Sequence, residues 1–333
     1  MKNISHWLSL AVWLTAVALH GAVDALPSWK DGPVKENIVT FVREVTTPGT
    51  AVFVAPAERL AAFDNDGTLW TEQPCYTQFV FAMDRVKAVA AQHPEWNTRE
   101  PFKSALAGDL KGVVASGVHG LIELPAAACA GMTTEEYDRA ARNWLATARH
   151  PRFGRPYTDC VYQPMLELLA FLRSSGFKTY VVSGGSLEFM RPWTERVYGI
   201  PPEQVIGSTV LNRFELRSGQ PVMVRLADIE RINDKVEKAL SIERVVGRRP
   251  ILAFGNSDGD LPMLQWTAAG GGRHFCALVH HTDAEREYAY DRTAATGRLD
   301  KGLDEAAAKG WTVVDMKQDW KRVFPVEAAG NGH

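Results

Sequence analysis

The stretch Leu60-Ala61-Ala62-Phe63-Asp64-Asn65-Asp66-Gly67-Thr68-Leu69-Trp70 constrains this chain more than any other. Four small or apolar residues run into two carboxylates one residue apart, and then into a turn. A buried strand ending in Asp-x-Asp-Gly-Thr puts two acidic groups at the carboxyl edge of a sheet, where open α/β folds place their chemistry. Burying one carboxylate is costly, and a second nearby adds like-charge repulsion. A cation or a charged substrate has to offset that cost. The plainer alternative is a strand followed by an Asp-rich turn, so the remaining sequence must supply partners for the pair.

The 333 residues are 46% hydrophobic and 23% charged, which suits a globular chain with a substantial core. That length allows one large domain with a smaller one inserted or appended. A formal net charge of -2, with no basic stripe interleaved with aromatics, argues against a nucleic-acid partner.

The N-terminus has a different character. Lys2 precedes the apolar run from Leu8 to Leu19, and Val23-Asp24-Ala25 offers small residues where a signal peptidase reads. The run is short for a bilayer span, so residues 1–25 are expected to be a signal peptide. The mature protein is then expected to be exported, to the periplasm, with no stable membrane association after signal removal; the alternative is an uncleaved anchor. Cys75, Cys129, Cys160 and Cys276 show no CxxC spacing, which argues against zinc. An oxidising compartment permits a disulfide among the first three, whereas Cys276, in an apolar run, reads as a buried thiol.

Val34, Ile38, Phe41, Val42 and Val45 recur at helical spacing ahead of the first strand. Residues 75–155 then read as helices and loops. Within them Thr133 and Glu136 form a capping box ahead of an apolar face of Tyr137, Ala140, Ala141, Trp144, Leu145 and Ala148. From residue 161 helix and strand alternate, with strands expected at 179–182, 205–206, 251–254, 275–279 and 312–314. A hairpin is expected over 210–224, turning at Ser218-Gly219. This order predicts an α/β protein with a Rossmann-like parallel sheet and helices on both faces. The expected organisation is a core over 26–74 and 156–325, a helical cap over 75–155 and a flexible tail over 326–333.

Three further strand ends carry residues suited to the acid pair. Val182-Ser183-Gly184-Gly185-Ser186 offers a hydroxyl and backbone N–H groups at a helix start, an arrangement that binds an anion such as phosphate. Lys235 is expected in the first turn of a helix capped by Asp234 and Glu237. The helix dipole disfavours a cation there, and an anionic substrate would offset that. Finally, the strand Ile251-Leu252-Ala253-Phe254 runs into Gly255-Asn256-Ser257-Asp258-Gly259-Asp260, an oxygen-rich loop of the kind Mg2+ requires.

Together these four segments resemble the motifs of the haloacid dehalogenase-like superfamily, and the phosphoserine-phosphatase-like branch in particular, which carries a helical cap directly after the first motif. The resemblance spans roughly residues 58–280. It implies a Mg2+-dependent phosphomonoesterase for a small-molecule phosphate ester. Asp64 would be the nucleophile forming an aspartyl-phosphate and Asp66 the general acid and base, while Ser183, the Gly184 N–H and Lys235 would hold phosphoryl oxygens. Mg2+ would bind Asp64, the Asp66 backbone carbonyl and the 256–260 loop, through Asn256 and Asp260, with Asp258 as the other candidate.

Asn256 departs from the resemblance, which expects an aspartate touching the metal. Glu72 and Gln73 lie one residue out of register with a substrate-recognition acid, so the ester stays open. Alternatives are a metal-independent dehalogenase-type hydrolase, against which Asp66 argues, and a non-catalytic phosphate- or metal-binding protein. Phosphonate cleavage would need a cap lysine, and Lys87, Lys103 and Lys111 stand in no telling context. Trp70, Tyr76, Phe79, Trp96 and Trp144 read as cap packing, or alternatively as a pocket for an apolar or quaternary-ammonium leaving group. His280 and His281, adjacent on a strand, point to opposite faces and read as structural.

Overall fold

The computed structural model describes residues 24–326. The expected signal segment, residues 1–25, lies outside the described residues apart from its last two, as does the expected tail from residue 327 on. No helix among the described residues is long and apolar enough to cross a membrane.

Among the described residues one sheet contains eight strands: β1 Leu60–Phe63, β2 Lys178–Ser186, β3 Val205–Arg217, β4 Gln220–Arg231, β5 Leu252–Gly255, β6 Phe275–Thr282, β7 Ala289–Tyr290 and β8 Thr312–Asp315. The order β3-β2-β1-β5-β6-β8 is parallel throughout, with β4 antiparallel beyond β3 and β7 antiparallel to the end of β6. From β1 the chain builds outward through β2 and β3, then returns to the other side through β5, β6 and β8. The direction reverses at β1, and the crevice at its carboxyl end is the topological switch point. All four β1 residues are buried, and Phe63 stacks on its register partner Phe254 with ring centroids 5.4 Å apart.

Twelve helices accompany the described strands: α1 Pro33–Thr46, α2 Thr77–Val89, α3 Phe102–Ala107, α4 Leu110–Ala115, α5 Gly117–Ala128, α6 Thr134–Thr147, α7 Gln163–Ser174, α8 Leu187–Tyr198, α9 Val236–Val246, α10 Leu261–Ala268, α11 Lys301–Lys309 and α12 Met316–Asp319. In α1 the spacing of Ile38, Phe41, Val42 and Val45 puts all four into the core. Both halves of the Thr133–Glu136 capping box form at the start of α6, at 3.1 and 2.8 Å. Between β1 and β2 the chain runs through helices α2 to α6 and then α7, which leads into β2. Phe79, Val86, Trp96, Phe102, Val113 and Ile122 close a hydrophobic cluster separate from that of the sheet.

The β3–β4 hairpin turns at Ser218-Gly219, but it is longer than the sequence suggests, because the strand expected at 205–206 and the hairpin are continuous. Its inner end supplies Val210 and Ile229 to the cap cluster, so the cap includes a β element as well as helices. All four cysteines are buried and free, and no disulfide joins Cys75, Cys129 and Cys160. Four of the five aromatics in question pack internally. Trp70 stacks on Trp193, Phe79 and Trp96 lie in the cap cluster, and Trp144 packs on Phe81 and Tyr157; Tyr76 alone lines the cavity described next.

Candidate active site

A cavity of about 40 Å³ opens at the carboxyl end of β1, lined by Asp64, Asp66, Glu72, Tyr76, Ser183, Gly184, Gly185, Asp234, Lys238 and Ser257. It has room for only a few water-sized groups, on the order of three. The strand that buries Phe63 delivers Asp64, whose N–H donates to the Phe254 carbonyl at 2.9 Å. Its carboxylate is 6% exposed, and its Oδ1 accepts from Lys238 Nζ at 2.5 Å. Asp66 sits one residue on. Its Oδ1 accepts from the Trp70 indole N–H at 2.9 Å, and its Oδ2 lies 3.4 Å from the Ser183 hydroxyl.

Ser183 ends the regular part of β2, and its Oγ also accepts from the Gly185 N–H at 3.0 Å. The next N–H, of Ser186, donates to Gln78 Oε1 on α2 at 2.8 Å, tying the cap's first helix to this loop.

Lys238, not Lys235, is the lysine of the site. Lys235 is exposed and caps α9 with φ 55°, ahead of the first helical residue. The inward face of α9 is Lys238, Ser241 and Ile242, spaced three and four residues apart. That register carries Lys238, 3% exposed, between Asp64 and Asp260, whose Oδ1 accepts from Nζ at 2.6 Å. Asp260 is accordingly committed. Its Oδ2 accepts from the N–H groups of Asn256 and Ser257, both at 3.0 Å, which places it behind the site and not at a cation. Asp258 faces away altogether, its Oδ1 accepting from the Asp300 and Gly302 N–H groups at the start of α11. Of the expected set, Asp64, Asp66, Ser183, Gly184 and Asn256 come together, whereas Lys235, Asp258 and the side chain of Asp260 do not join them.

Sequence reasoning missed Lys238, and it missed how the floor is built. Asn256, 1% exposed, donates from Nδ2 to Glu72 Oε1 at 2.6 Å, and its Oδ1 accepts from the Thr68 hydroxyl at 3.1 Å. Tyr290 OH donates to the same Glu72 oxygen at 2.8 Å. Buried His281 contacts the Gly67 carbonyl through Nε2 at 2.7 Å and Glu287 through Nδ1 at 3.3 Å, which fixes the turn behind Asp66. Gly67 needs its missing side chain. At φ 77° an added Cβ would lie 2.0 Å from Asn256 Nδ2 and 2.4 Å from Glu72 Oε1. Gly67→Ala is therefore expected to displace both side chains and to cost ~2 kcal/mol or more in urea unfolding, with activity lost.

Electrostatically the cavity is overloaded with acid. Burial, and then the nearby Asp260, push the Asp64 carboxyl up to about 8 despite Lys238. Burial also raises Asp66, against the hydrogen bond from Trp70, and holds Glu72 well above the usual range, with Asp66 and Asp64 adding repulsion. An acid raised in the fold binds more protons folded than unfolded, so its contribution to stability falls as pH rises. With divalent cations chelated, stability is expected to fall as pH rises from about 4 to about 8, the window set by Asp64. Urea midpoints measured against pH check this, because Asp64→Asn should flatten the slope.

Among the described residues no three Asp, Glu, His or Cys side chains converge on one point. The Thr68 hydroxyl lies 3.4 Å from Asp64 Oδ2 and 3.1 Å from Asn256 Oδ1, which brings a carboxylate and an amide oxygen to one side of the site. Such a mixed oxygen set, with excess negative charge and room for water, fits a hard cation such as Mg2+ and not a thiolate- or imidazole-bound metal.

Fold and site together define an α/β enzyme whose strand ends are arranged for chemistry on an anion. The chain belongs to the haloacid dehalogenase-like hydrolase family, whose sequence model matches residues 61–265. A Bordetella pertussis Tohama I protein of unknown function superposes with a TM-score of 0.50 at 15% identity, covering 78% of this chain and 99% of that one. A conserved protein of unknown function from Anaerococcus prevotii DSM 20548 gives 0.51 at 13% identity, covering 84% and 91%. These likenesses show the shared fold. A phosphoserine phosphohydrolase-like protein from Francisella tularensis subsp. tularensis SCHU S4 is more distant, with a TM-score of 0.39 at 13% identity over 75% of this chain and 99% of that one. No curated protein sequence matches the chain significantly.

Proposed function

We propose that the protein is an exported, Mg2+-dependent phosphomonoesterase that hydrolyses a small phosphate ester through an aspartyl-phosphate on Asp64. The observation carrying this reading is the buried Lys238 between Asp64 and Asp260, with Asp66 one residue from the nucleophile and Ser183 opposite. Lys238 orients the Asp64 carboxylate and offsets charge on an incoming phosphoryl group. Asp64 attacks phosphorus as the P–O ester bond breaks, and the departing alkoxide takes the Asp66 proton, which its raised pKa keeps available. Asp66 then removes a proton from water, which attacks the same phosphorus and returns inorganic phosphate and free Asp64. Ser183 and the Gly184 N–H hold phosphoryl oxygens in both steps.

Asp64, the Asp66 carbonyl and the Asn256 amide oxygen would hold Mg2+, which when bound offsets the negative charge shared by nucleophile and phosphate. The N-terminal apolar run supports export to the periplasm, and the charge balance supports a small-molecule partner over nucleic acid. Asp234 at the cavity lining disfavours additional anionic groups, so esters of neutral or cationic alcohols should lead diphosphates. A panel of phosphate monoesters assayed with EDTA and then with restored Mg2+ tests the reading. Reversible loss of phosphate release is expected, and activity indifferent to chelation would overturn metal dependence.

A further inference from the structure

Asn256 brings an amide where the family resemblance expects an aspartate, which leaves the cation site short of one negative charge. The carboxyl bonded to the Asn256 side chain, that of Glu72, comes from another loop. We propose that Glu72 adapts the site to this amide, acting with Asn256 as one unit: the amide oxygen faces the cation while the Glu72 carboxyl anchors the amide nitrogen from behind. Glu72 is then a positioning residue, working through Asn256. This inference rests on the Mg2+-dependent reading above.

Three observations support it. The Asn256 Nδ2 to Glu72 Oε1 bond, at 2.6 Å, fixes which way the amide points, because a carboxylate accepts and the NH2 group must face it. Oδ1 is thereby turned to the side of Thr68, whose hydroxyl lies 3.1 Å from it and 3.4 Å from Asp64 Oδ2. Secondly, two loops are shaped around Glu72. A Cβ on Gly67 would lie 2.4 Å from its Oε1 and a Cβ on Gly297 only 1.8 Å, and both glycines have left-handed φ, 77° and 68°. Thirdly, Glu72 is held from the far side. Tyr290 donates to it at 2.8 Å and stacks 4.3 Å from His281, which contacts the Gly67 carbonyl. Both bonds, from Asn256 and from Tyr290, fall on the same Glu72 oxygen, so the carboxyl is tied to Asn256 at the cavity wall.

The test is a charge swap read by calorimetric titration of full-length protein with MgCl2 alone. Glu72→Gln is expected to weaken the Mg2+ Kd by about tenfold or more, as losing an outer partner of a metal ligand does. Asn256→Asp alone sets two carboxylates against each other and should lower the urea midpoint. The double variant Glu72→Gln/Asn256→Asp exchanges the amide and the carboxyl between the two positions, keeping the pair bonded, and is expected to return Kd to within about threefold of wild type. Wild-type affinity in Glu72→Gln, or a double variant no better than it, would overturn the inference. If Glu72→Gln fails to fold, Tyr290→Phe carries the test: it should weaken Kd by about threefold, and an unchanged value overturns the proposal. A wild-type protein that binds no Mg2+ overturns the metal-dependent reading as well, which separates the two failures.

Discussion

Lys238→Met is expected to lower kcat/KM for phosphate esters by on the order of 10²- to 10³-fold, as losing a fixed charge at a reacting phosphoryl group does. It should also destabilise the fold. The lysine is buried between Asp64 and Asp260, at 2.5 and 2.6 Å, and holds both in place. Removing one member of a buried ion cluster costs ~3–5 kcal/mol because the remaining charges lose their partner. Lys235→Met is the matched control. Its side chain is exposed at the helix cap, so stability should change by no more than ~0.5 kcal/mol and turnover should be unchanged. Urea unfolding and steady-state kinetics on the two variants decide between the lysines. Equal losses in both would remove Lys238 from the mechanism.

Asp64→Asn is the second large effect, and its two readouts move in opposite directions. Turnover should fall by on the order of 10⁶-fold, as for other covalent nucleophiles, and no acid-stable phosphoenzyme should accumulate during turnover. Stability in EDTA should nevertheless rise at pH 8. The fold disfavours the ionised form of Asp64 through burial and Asp260, and an amide of the same shape removes that penalty while Lys238 keeps Asp260. Nucleophiles commonly carry such a trade between activity and stability. An inactive variant that also unfolds more easily would point to structural damage and not to loss of the nucleophile.

The acid pair was legible because its strand and its chemistry share one short run. Leu60 to Phe63 are buried on both faces, so the sequence is uniformly apolar up to Asp64. The anion loop was legible for a similar reason. Lys238 was not, because α9 inverts the usual pattern. Its exposed residues include Val236, Leu240 and Val245, while the buried face is Lys238, Ser241 and Ile242. Hydrophobic periodicity therefore points away from the site. The spacing of Lys238 from Ile242 was the available signal, but it gains meaning only once Asp64 and Asp260 are seen to need a counter-charge.

Glu72 illustrates a second limit. Its partners Asn256 and Tyr290 lie more than 180 residues away in the chain. No local pattern announces a carboxylate set against an amide across two loops. Asp258 and Asp260 show the same difficulty at short range. Two acids in one loop are equivalent in sequence, yet a 3-10 turn over Asp258–Asp260 sends one to α11 and the other to Lys238.

The Gln78–Ser186 bond joins the cap mechanically to the anion loop. Gln78 belongs to the first cap helix, and Ser186 follows directly on the loop expected to grip phosphate. Any excursion that lifts α2 away from the sheet must first release that N–H, and the loop loses an anchor in the same motion. The position of the cap helix and the shape of the loop are thereby coupled through one backbone N–H, in addition to the packing of Phe79 and Val86.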